Sequence, residues 1–181
     1  MDVSTTGRLV LTVPEPADVA ELHDLYADPL VWRDDPVSRH DTPAQTAAMV
    51  DRWRAAWCRD GLGMWVARDG EGRLVGIGGC FVRHGVAWNL GFRLGPARWG
   101  QGYAQEIIAA ALTAARATRA DLPVTAYLVE GNTRSRRTTE RAGLRLVWRG
   151  PDAGNPDPDA VRLLYADRDL TDAVVKALTD D

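Results

Sequence analysis

This sequence has few cysteines and histidines, no long apolar run and little net charge. Its two cysteines, Cys58 and Cys80, fall on a predicted helix and a predicted glycine-rich strand, and we interpret both as small buried side chains. The three histidines are scattered and no acidic triplet stands at ligand spacing, so no metal site is expected. No apolar run approaches the roughly 18 residues that span a bilayer, which argues against a membrane protein. A net charge of -3 gives no general attraction to nucleic acid.

The composition that remains is that of one globular domain. A hydrophobic content of 45% over 181 residues allows one sizeable core. The N-terminus, Met1-Asp2-Val3-Ser4, lacks the charged and apolar regions of a signal peptide. We therefore expect a single cytoplasmic domain covering residues 1–181.

The periodicity of apolar residues predicts a mixed α/β fold. Alternation of period two predicts seven strands, at residues 8–13, 64–68, 73–82, 88–94, 122–129, 144–148 and 161–165. Helical spacing and capping residues predict helices beginning near Pro16 and covering residues 42–57, 103–119, 133–142 and 170–178. The three strands from 64 to 94 should form an antiparallel meander, and a crossover helix should place the next strand parallel. A proline-rich and acidic loop is expected at residues 151–158.

The stretch Trp99-Gly100-Gln101-Gly102-Tyr103-Ala104, here called the glycine turn, lies between a predicted strand and the longest predicted helix. Glycine permits dihedrals that a β-carbon forbids, and the first turn of a helix has amide groups without internal partners. Such a turn suits a phosphate, although glycine pairs also close ordinary strand-to-helix turns. A Walker loop is excluded because no glycine is followed by lysine, and a third glycine for a dinucleotide fingerprint is absent.

A local basic cluster follows the next strand, formed by Arg134, Arg136, Arg137 and Arg141. It suits one phosphorylated ligand, or it is a solvated helix face.

Two segments of the sequence resemble the GNAT superfamily of acyl-CoA N-acyltransferases, and more closely the branch of the ribosomal-protein N-terminal acetyltransferases. The first is Gly91-Phe92-Arg93-Leu94 leading to the glycine turn and Gln105-Glu106, and the second is Asn132-Thr133-Arg134-Ser135 leading to Glu140-Arg141-Ala142-Gly143-Leu144. The resemblance implies a mostly antiparallel central sheet of about seven strands, with helices on both faces and a splay between strands four and five. It also implies acetyl-CoA as cosubstrate and no metal.

The resemblance places the cofactor on particular residues. The amides of the glycine turn would contact the diphosphate, the free strand edge would pair with the pantetheine arm, and Asn132 would contact the same arm. The implied cofactor-binding residues are Phe92, Arg93, Leu94, Arg98, Trp99, Gly100, Gln101, Gly102, Tyr103, Ala104, Asn132 and Arg137.

The catalytic residues depart from the pattern of many relatives. Thr139 stands where many relatives have a tyrosine general acid, and Asn89 stands where some have a glutamate base. The resemblance places Ser135 near the sulfur, and we assign proton acceptance to Glu130, with a helix cap and an exposed loop carboxylate as their respective alternatives. Glu106 is expected to have a structural role.

The missing strong base also constrains the acceptor. An α-amine has a pKa of about 7.8 and a lysine about 10.4, so deprotonating lysine at neutral pH costs roughly 3.5 kcal/mol more. We therefore expect acetylation of a peptide or protein N-terminus or a small amine, bound by Trp32, Arg33 and Asn89. Aminoglycoside-type acetylation and a non-catalytic acyl-CoA-binding module are the alternatives. Relatives are often dimers, so a homodimer is a further expectation.

Overall fold

One sheet of eight strands runs through residues 3–152 and 155–180, the part of the chain that the computed structural model describes. The strands are β1 Val3–Thr5, β2 Leu9–Thr12, β3 Met64–Asp69, β4 Leu74–Arg83, β5 Ala87–Leu94, β6 Val124–Val129, β7 Arg145–Pro151 and β8 Val161–Ala166. The helices are α1 Val19–Ala27, α2 Pro43–Asp60, α3 Tyr103–Thr118, α4 Thr133–Arg141 and α5 Asp172–Thr179. The spatial order of the strands is β1-β2-β3-β4-β5-β6-β8-β7.

The sheet opens between β5 and β6, which correspond to the predicted strands four and five. These two strands are parallel and pair only at Trp88 with Val124 and at Asn89 with Thr125. Beyond that point β5 continues to Leu94 without β6 as a partner, whereas every other neighbouring pair is antiparallel. The predicted mixed, mostly antiparallel sheet is confirmed, and its opening leaves one edge of β5 available to a ligand.

The eighth strand and a few element ends differ from the sequence prediction. β1 is three residues long and contains Ser4 and Thr5, so it has no apolar alternation from which to predict it. The α2 helix continues beyond Trp57 to Asp60, because Gly61 supplies the left-handed residue (φ +70°) that ends it. β7 extends to Pro151, into the predicted loop at 151–158, of which residues 153–154 lie outside the described part. Residues 1–2 of the N-terminus considered above also lie outside it.

The α3 helix packs on the sheet through an apolar face. Its buried side chains are those of Ile107, Ile108, Ala111, Leu112 and Ala115. Burying each isoleucine or leucine contributes about 1.5–3 kcal/mol. The close approach depends on Gly78 in β4, because a β-carbon there would lie 2.3 Å from Cγ2 of Ile107. This packing fixes the start of α3, and therefore the glycine turn, at the open end of β5.

The two cysteines are in different environments. Cys80 is buried on β4, and burial raises the pKa of its thiol to about 12. Cys58 is exposed, so its interpretation as a buried side chain is wrong: on α2 it is the neighbouring Trp57 that packs into the core.

Nothing in the described ranges suggests a membrane span or a metal centre. None of the helices there combines the length and apolar character needed to cross a bilayer. The same residues contain no group of three or more His, Cys, Asp or Glu side chains that could hold a metal ion.

Candidate active site

The glycine turn presents unpaired backbone amides. Gly100 and Gly102 have φ of +74° and +83°, which only glycine adopts readily. The first amide of the helix with a backbone partner is that of Glu106, which donates to the Gly102 carbonyl at 3.2 Å. Within residues 3–152 and 155–180, the backbone N–H groups of residues 100–105 have no acceptor. They form a group of donors at the positive end of the α3 dipole, as the sequence predicts.

The predicted set of amides is shifted by one residue. The Trp99 amide is already engaged, because it donates to the Pro96 carbonyl at 3.2 Å. The Trp99 indole Nε1 donates to the Leu94 carbonyl at 2.9 Å, so that carbonyl is not free for a ligand either. Trp99 therefore braces the turn against the end of β5, and the available donors begin at Gly100.

Glu106 holds the start of α3 to β2. Its carboxylate accepts from the Arg8 backbone N–H at 2.7 Å, from Arg8 Nε at 2.8 Å and from the Thr6 hydroxyl. Arg8 also donates to the Gln101 carbonyl at 2.9 Å and stacks over the Tyr103 ring. Burial raises the pKa of Glu106, but the hydrogen bonds from Thr6 and Arg8 outweigh it and lower the pKa below its ordinary value. An anionic Glu106 thus has a structural task, in agreement with the expectation from its spacing.

The glycine turn opens into a cavity of about 390 Å³, here called the cofactor cavity. Most of the predicted site residues line it, namely Arg33, Phe92, Arg93, Leu94, Arg98, Trp99, Gly100, Gly102, Tyr103, Ala104, Asn132 and Ser135. Five predicted residues do not line it, namely Trp32, Asn89, Gln101, Glu130 and Arg137.

The structure shows which of Asn132 and Ser135 caps α4. Asn132 is the N-cap of α4, and its Oδ1 accepts from the Ser135 backbone N–H at 2.9 Å. The alternative in which Ser135 is the cap is therefore wrong. Both residues line the cofactor cavity, and this cap leaves the Ser135 hydroxyl and the Asn132 side-chain N–H groups available as donors.

The positive charge of the cavity comes from a different face of α4 than predicted. Arg134 and Arg141 line the cavity, and the Arg134 guanidinium lies 3.9 Å from the Trp99 ring centroid. Arg137 is exposed and is not among the residues that line the cavity. Arg98 lines the cavity but is paired with Asp69 at 3.2 Å.

Glu130 does not share a cavity with Ser135, and an arginine engages its carboxylate. Its two carboxylate oxygens accept from Arg149 Nε and Nη2 at 2.7 and 2.9 Å. That hydrogen bonding lowers the pKa of Glu130, which makes it a weaker base. Glu130 lines a second cavity and not the cofactor cavity, so the structure gives its predicted role as base no support.

Two further predicted residues lie beside the cofactor cavity. Trp32 is only 5% exposed and packs behind Arg93, so it does not form the predicted surface of the acceptor site. Asn89 lies where the β5–β6 ladder ends, and its buried Oδ1 has no partner among the described residues. An orphaned acceptor at the apex of the splay fits a donor on a ligand.

Two hydroxyl groups that could replace the tyrosine general acid of many relatives do not line the cofactor cavity. Thr139 is fully buried on α4, away from the cavity surface. The Tyr165 hydroxyl donates to Glu140 at 2.8 Å and does not line the cofactor cavity. Ser135 and Tyr103 line the cavity, as does Thr138, whose hydroxyl already donates to the Arg134 carbonyl at 2.9 Å.

The sequence predicted Trp32 and Arg33 as site residues in the segment between α1 and α2, but it did not point to three of their neighbours. Leu30, Val31 and Asp34 line the cofactor cavity, and Asp34 also lines the second cavity. The second cavity, of about 410 Å³ and here called the acidic cavity, is lined by Asp34, Asp35, Glu130, Asp157 and Asp159 together with apolar and backbone groups. Asp34 had no periodic or motif context that would single it out.

Comparison with known proteins gives an independent view of the same fold and site. The sequence model described as "Acetyltransferase (GNAT) domain" matches residues 8–145. A GNAT-family acetyltransferase structure from Bordetella pertussis superposes with a TM-score of 0.78 at 23% identity, covering 93% of this chain and 100% of the other. An acetyltransferase from Agrobacterium tumefaciens gives a TM-score of 0.72 at 26% identity, covering 91% and 94%.

The predicted branch is also found among the structural matches. RimL, a ribosomal L7/L12 alpha-N-protein acetyltransferase whose structure is known in complex with Coenzyme A, gives a TM-score of 0.72 at 20% identity, covering 93% of this chain and 100% of that one. At this identity the likeness shows a shared fold. The family match spans most of the chain, and it includes the glycine turn, the open edge of β5 and the α4 cap. The protein therefore belongs to the GNAT family and is an acetyl-CoA-dependent acetyltransferase.

Proposed function

We propose that this protein transfers an acetyl group from acetyl-CoA to a primary amine of low pKa, such as a peptide or protein N-terminus or a small amine. The observation that carries the proposal is the row of unpaired amides at residues 100–105, which opens into the cofactor cavity. Acetyl-CoA supplies the acyl group as an activated thioester.

The residues that line the cavity can bind each part of acetyl-CoA, namely the phosphates, the pantetheine arm and the thioester sulfur. The amides of residues 100–105 and the guanidinium groups of Arg134 and Arg141 hold the phosphates. The open edge of β5 and the Asn132 side-chain amide hold the pantetheine arm. The Ser135 hydroxyl donates a hydrogen bond to the sulfur, which stabilises the leaving thiolate.

The acceptor amine needs to be neutral and aligned. Asp34 is the carboxylate of the cofactor cavity, and it is 3.6 Å from Arg33 at the mouth. Asp34 orients the incoming ammonium, and the ammonium gives its proton to water before the neutral amine attacks the thioester. No stronger base lines this cavity among the described residues, and this favours an α-amine over lysine. The structural similarity to RimL, an α-N-protein acetyltransferase, supports the same acceptor class.

A second acceptor class has its own support. The acidic cavity adjoins the cofactor cavity at Asp34, and its five carboxyl side chains would attract a cationic small molecule of the aminoglycoside type. Four of those carboxylates already have a neighbour, since Glu130 pairs with Arg149, Asp35 with Arg162, Asp34 with Arg33, and Asp157 accepts from the Asp159 backbone N–H. We therefore rank this class second.

An amine panel tests the proposal. Release of free CoA is measured with Nα-free peptides whose lysines are blocked, with Nα-acetylated peptides that keep a free lysine, with spermidine and with an aminoglycoside. The proposal expects the highest kcat/KM for the Nα-free peptides or for simple small amines. Acetylation confined to lysine side chains would contradict the argument from basicity, and acetylation confined to the aminoglycoside would establish the second class.

A further inference from the structure

Arg93 has a side chain whose position the cofactor does not explain. On β5 the side chains of Leu90, Phe92 and Leu94 pack with the core under α3, so Arg93 lies on the opposite face, beside α1. Its guanidinium stacks on the Trp32 ring, with Cζ 3.4 Å from the centroid. Arg93 lines the cofactor cavity next to Val31, at the acceptor side.

Among the described residues, the Arg93 guanidinium has no carboxylate partner. Nη1 donates to the Val31 carbonyl at 3.3 Å, and the Tyr26 phenol is a second polar neighbour. Across residues 3–152 and 155–180 Arg93 forms no ion pair. The carboxylate whose charge acts on Arg93, that of Asp35, pairs through Oδ2 with Arg162 and the Ser38 hydroxyl, while its buried Oδ1 has no partner among the described residues. Burial lowers the pKa of Arg93, and Tyr26 and Asp35 only partly oppose that effect.

Two other partly buried arginines, Arg68 and Arg162, have carboxylate partners. Arg68 lies 2.9 Å from Asp18, and Arg162 lies 2.7 Å from Asp152. A partly buried guanidinium without a counterion is costly, because desolvation removes the water that would stabilise the charge. Arg93 carries that cost at the surface of a cavity that admits a ligand.

A second donor beside Arg93 is also unpaired. The Trp32 side chain is buried, and its Nε1 has no acceptor among the described residues. Indole N–H groups that are buried usually have a partner. The Arg93 guanidinium lines the cavity without a counterion, which calls for a ligand with anionic oxygen atoms, whereas the buried Trp32 indole is the surface on which that guanidinium stacks.

We infer that Arg93 binds a carboxylate of the acceptor, so that the acceptor carries both an amine and a carboxylate in one molecule. The inference rests on the proposed function and narrows its acceptor class to amino acids and short acidic peptides. Stacking uses only the face of the planar guanidinium, so the N–H groups that Val31 and Tyr26 do not engage can donate to a carboxylate.

The test compares acceptors that differ only in the carboxylate. Glycine, β-alanine and 4-aminobutyrate span three amine-to-carboxylate distances, and each is paired with its carboxamide. The kcat/KM ratio of acid to carboxamide is measured for the wild type, Arg93→Gln, Arg93→Lys and the exposed control Arg59→Gln. An acid and its carboxamide differ in amine basicity, but this difference is the same for every variant. It therefore cancels when the acid-to-carboxamide ratio of one variant is compared with that of another.

A carboxylate-binding role predicts a change confined to the acids. Arg93→Gln should lower kcat/KM for the best acid about 10- to 100-fold, which is the range for losing a charge-assisted hydrogen bond. The carboxamide value and the KM for acetyl-CoA should stay within about 3-fold. Arg93→Lys should recover part of the loss, and Arg59→Gln should match the wild type. Equal losses for acid and carboxamide would show that Arg93 only supports packing, and would overturn the inference.

Binding without turnover separates this inference from the proposed function. In the presence of CoA, each acid should raise the melting temperature of the wild type more than its carboxamide does, and Arg93→Gln should abolish the difference. A wild type that acetylates amines without any preference between acid and carboxamide overturns the inference and leaves the proposed function intact. A failure to acetylate any amine overturns the proposed function, and the melting temperatures then decide the inference alone. If Arg93→Gln does not fold, the preference of the wild type decides it.

Discussion

At the scale of single residues, the phosphate end of the cavity depends on Arg134 and Arg141. Both lie on the face of α4 that lines the cofactor cavity, and Arg134 is held against Trp99 by its stacked guanidinium. We predict that Arg134→Gln and Arg141→Gln each raise the KM for acetyl-CoA by about 3- to 30-fold with little change in kcat, because each removes a charged hydrogen bond at a partly exposed site.

Steady-state kinetics at two salt concentrations would measure this effect. Salt should raise the KM of the wild type more than that of the double variant, because screening acts on the charges that the variant lacks. Arg116→Gln, at the far end of α3, is the matched control. If Arg137→Gln raised the KM while Arg134→Gln and Arg141→Gln did not, the assignment from the sequence would be preferred to that from the structure.

Glu106 makes stability depend on pH. Its pKa in the folded protein is lowered from 4.5, so it contributes stability that is fully present above pH 4.5 and is lost as the pH falls toward the folded pKa. We predict that Glu106→Gln is less stable than the wild type by about 1–3 kcal/mol at neutral pH. The difference in the free energy of unfolding should shrink as the pH falls below about 4.5. Urea unfolding at several pH values measures it, and a difference that stays constant across pH would show that the charge of Glu106 has no role.

At the scale of elements, the position of α3 on the sheet controls the glycine turn. A β-carbon at Gly78 would lie 2.3 Å from Ile107 Cγ2 and 3.3 Å from the Gly91 carbonyl oxygen. We predict that Gly78→Ala lowers the free energy of unfolding by about 1–3 kcal/mol. It should also weaken CoA binding, because the helix that carries the amides has to shift.

A matched glycine in a turn provides the control. A β-carbon at Gly70 would have nothing within 4 Å, so Gly70→Ala should leave both the free energy of unfolding and CoA affinity near their wild-type values. Thermal unfolding and a CoA titration of the two variants would compare them. Equal stability of Gly78→Ala and Gly70→Ala would mean that α3 is not packed on β4 as closely as described.

The elements also show what could be predicted from the sequence. The glycine turn depends on residues that are close in sequence, so local chemistry predicts it, whereas the sequence offered Ser135 as the cap of α4 and the structure has Asn132. The face of α4 that meets the cavity depends on how the helix packs, which its strongly polar sequence does not specify. The stack of Arg93 on Trp32 joins residues from β5 and an irregular segment, and neither pattern points to the other. For the same reason Asp34 was missed and Trp32 was assigned to the cavity surface.

At the scale of the whole molecule, the open seam between β5 and β6 joins the two halves of the site. The strands before it support the glycine turn through α3, and the strands after it support Asn132 and Ser135 through α4. The segment between α1 and α2 covers the acceptor end with Val31 and Asp34. A single domain, a cytoplasmic location and a homodimer remain predictions.

The central claim is that the amides of residues 100–105 bind the diphosphate of the cosubstrate. The most direct measurement is an NMR titration of the ¹⁵N-labelled protein with CoA, compared with pantetheine, which has no diphosphate. We predict that the amide resonances of residues 100–105 move strongly with CoA and little with pantetheine. CoA binding that leaves those resonances in place, or that moves them equally with pantetheine, would contradict the claim.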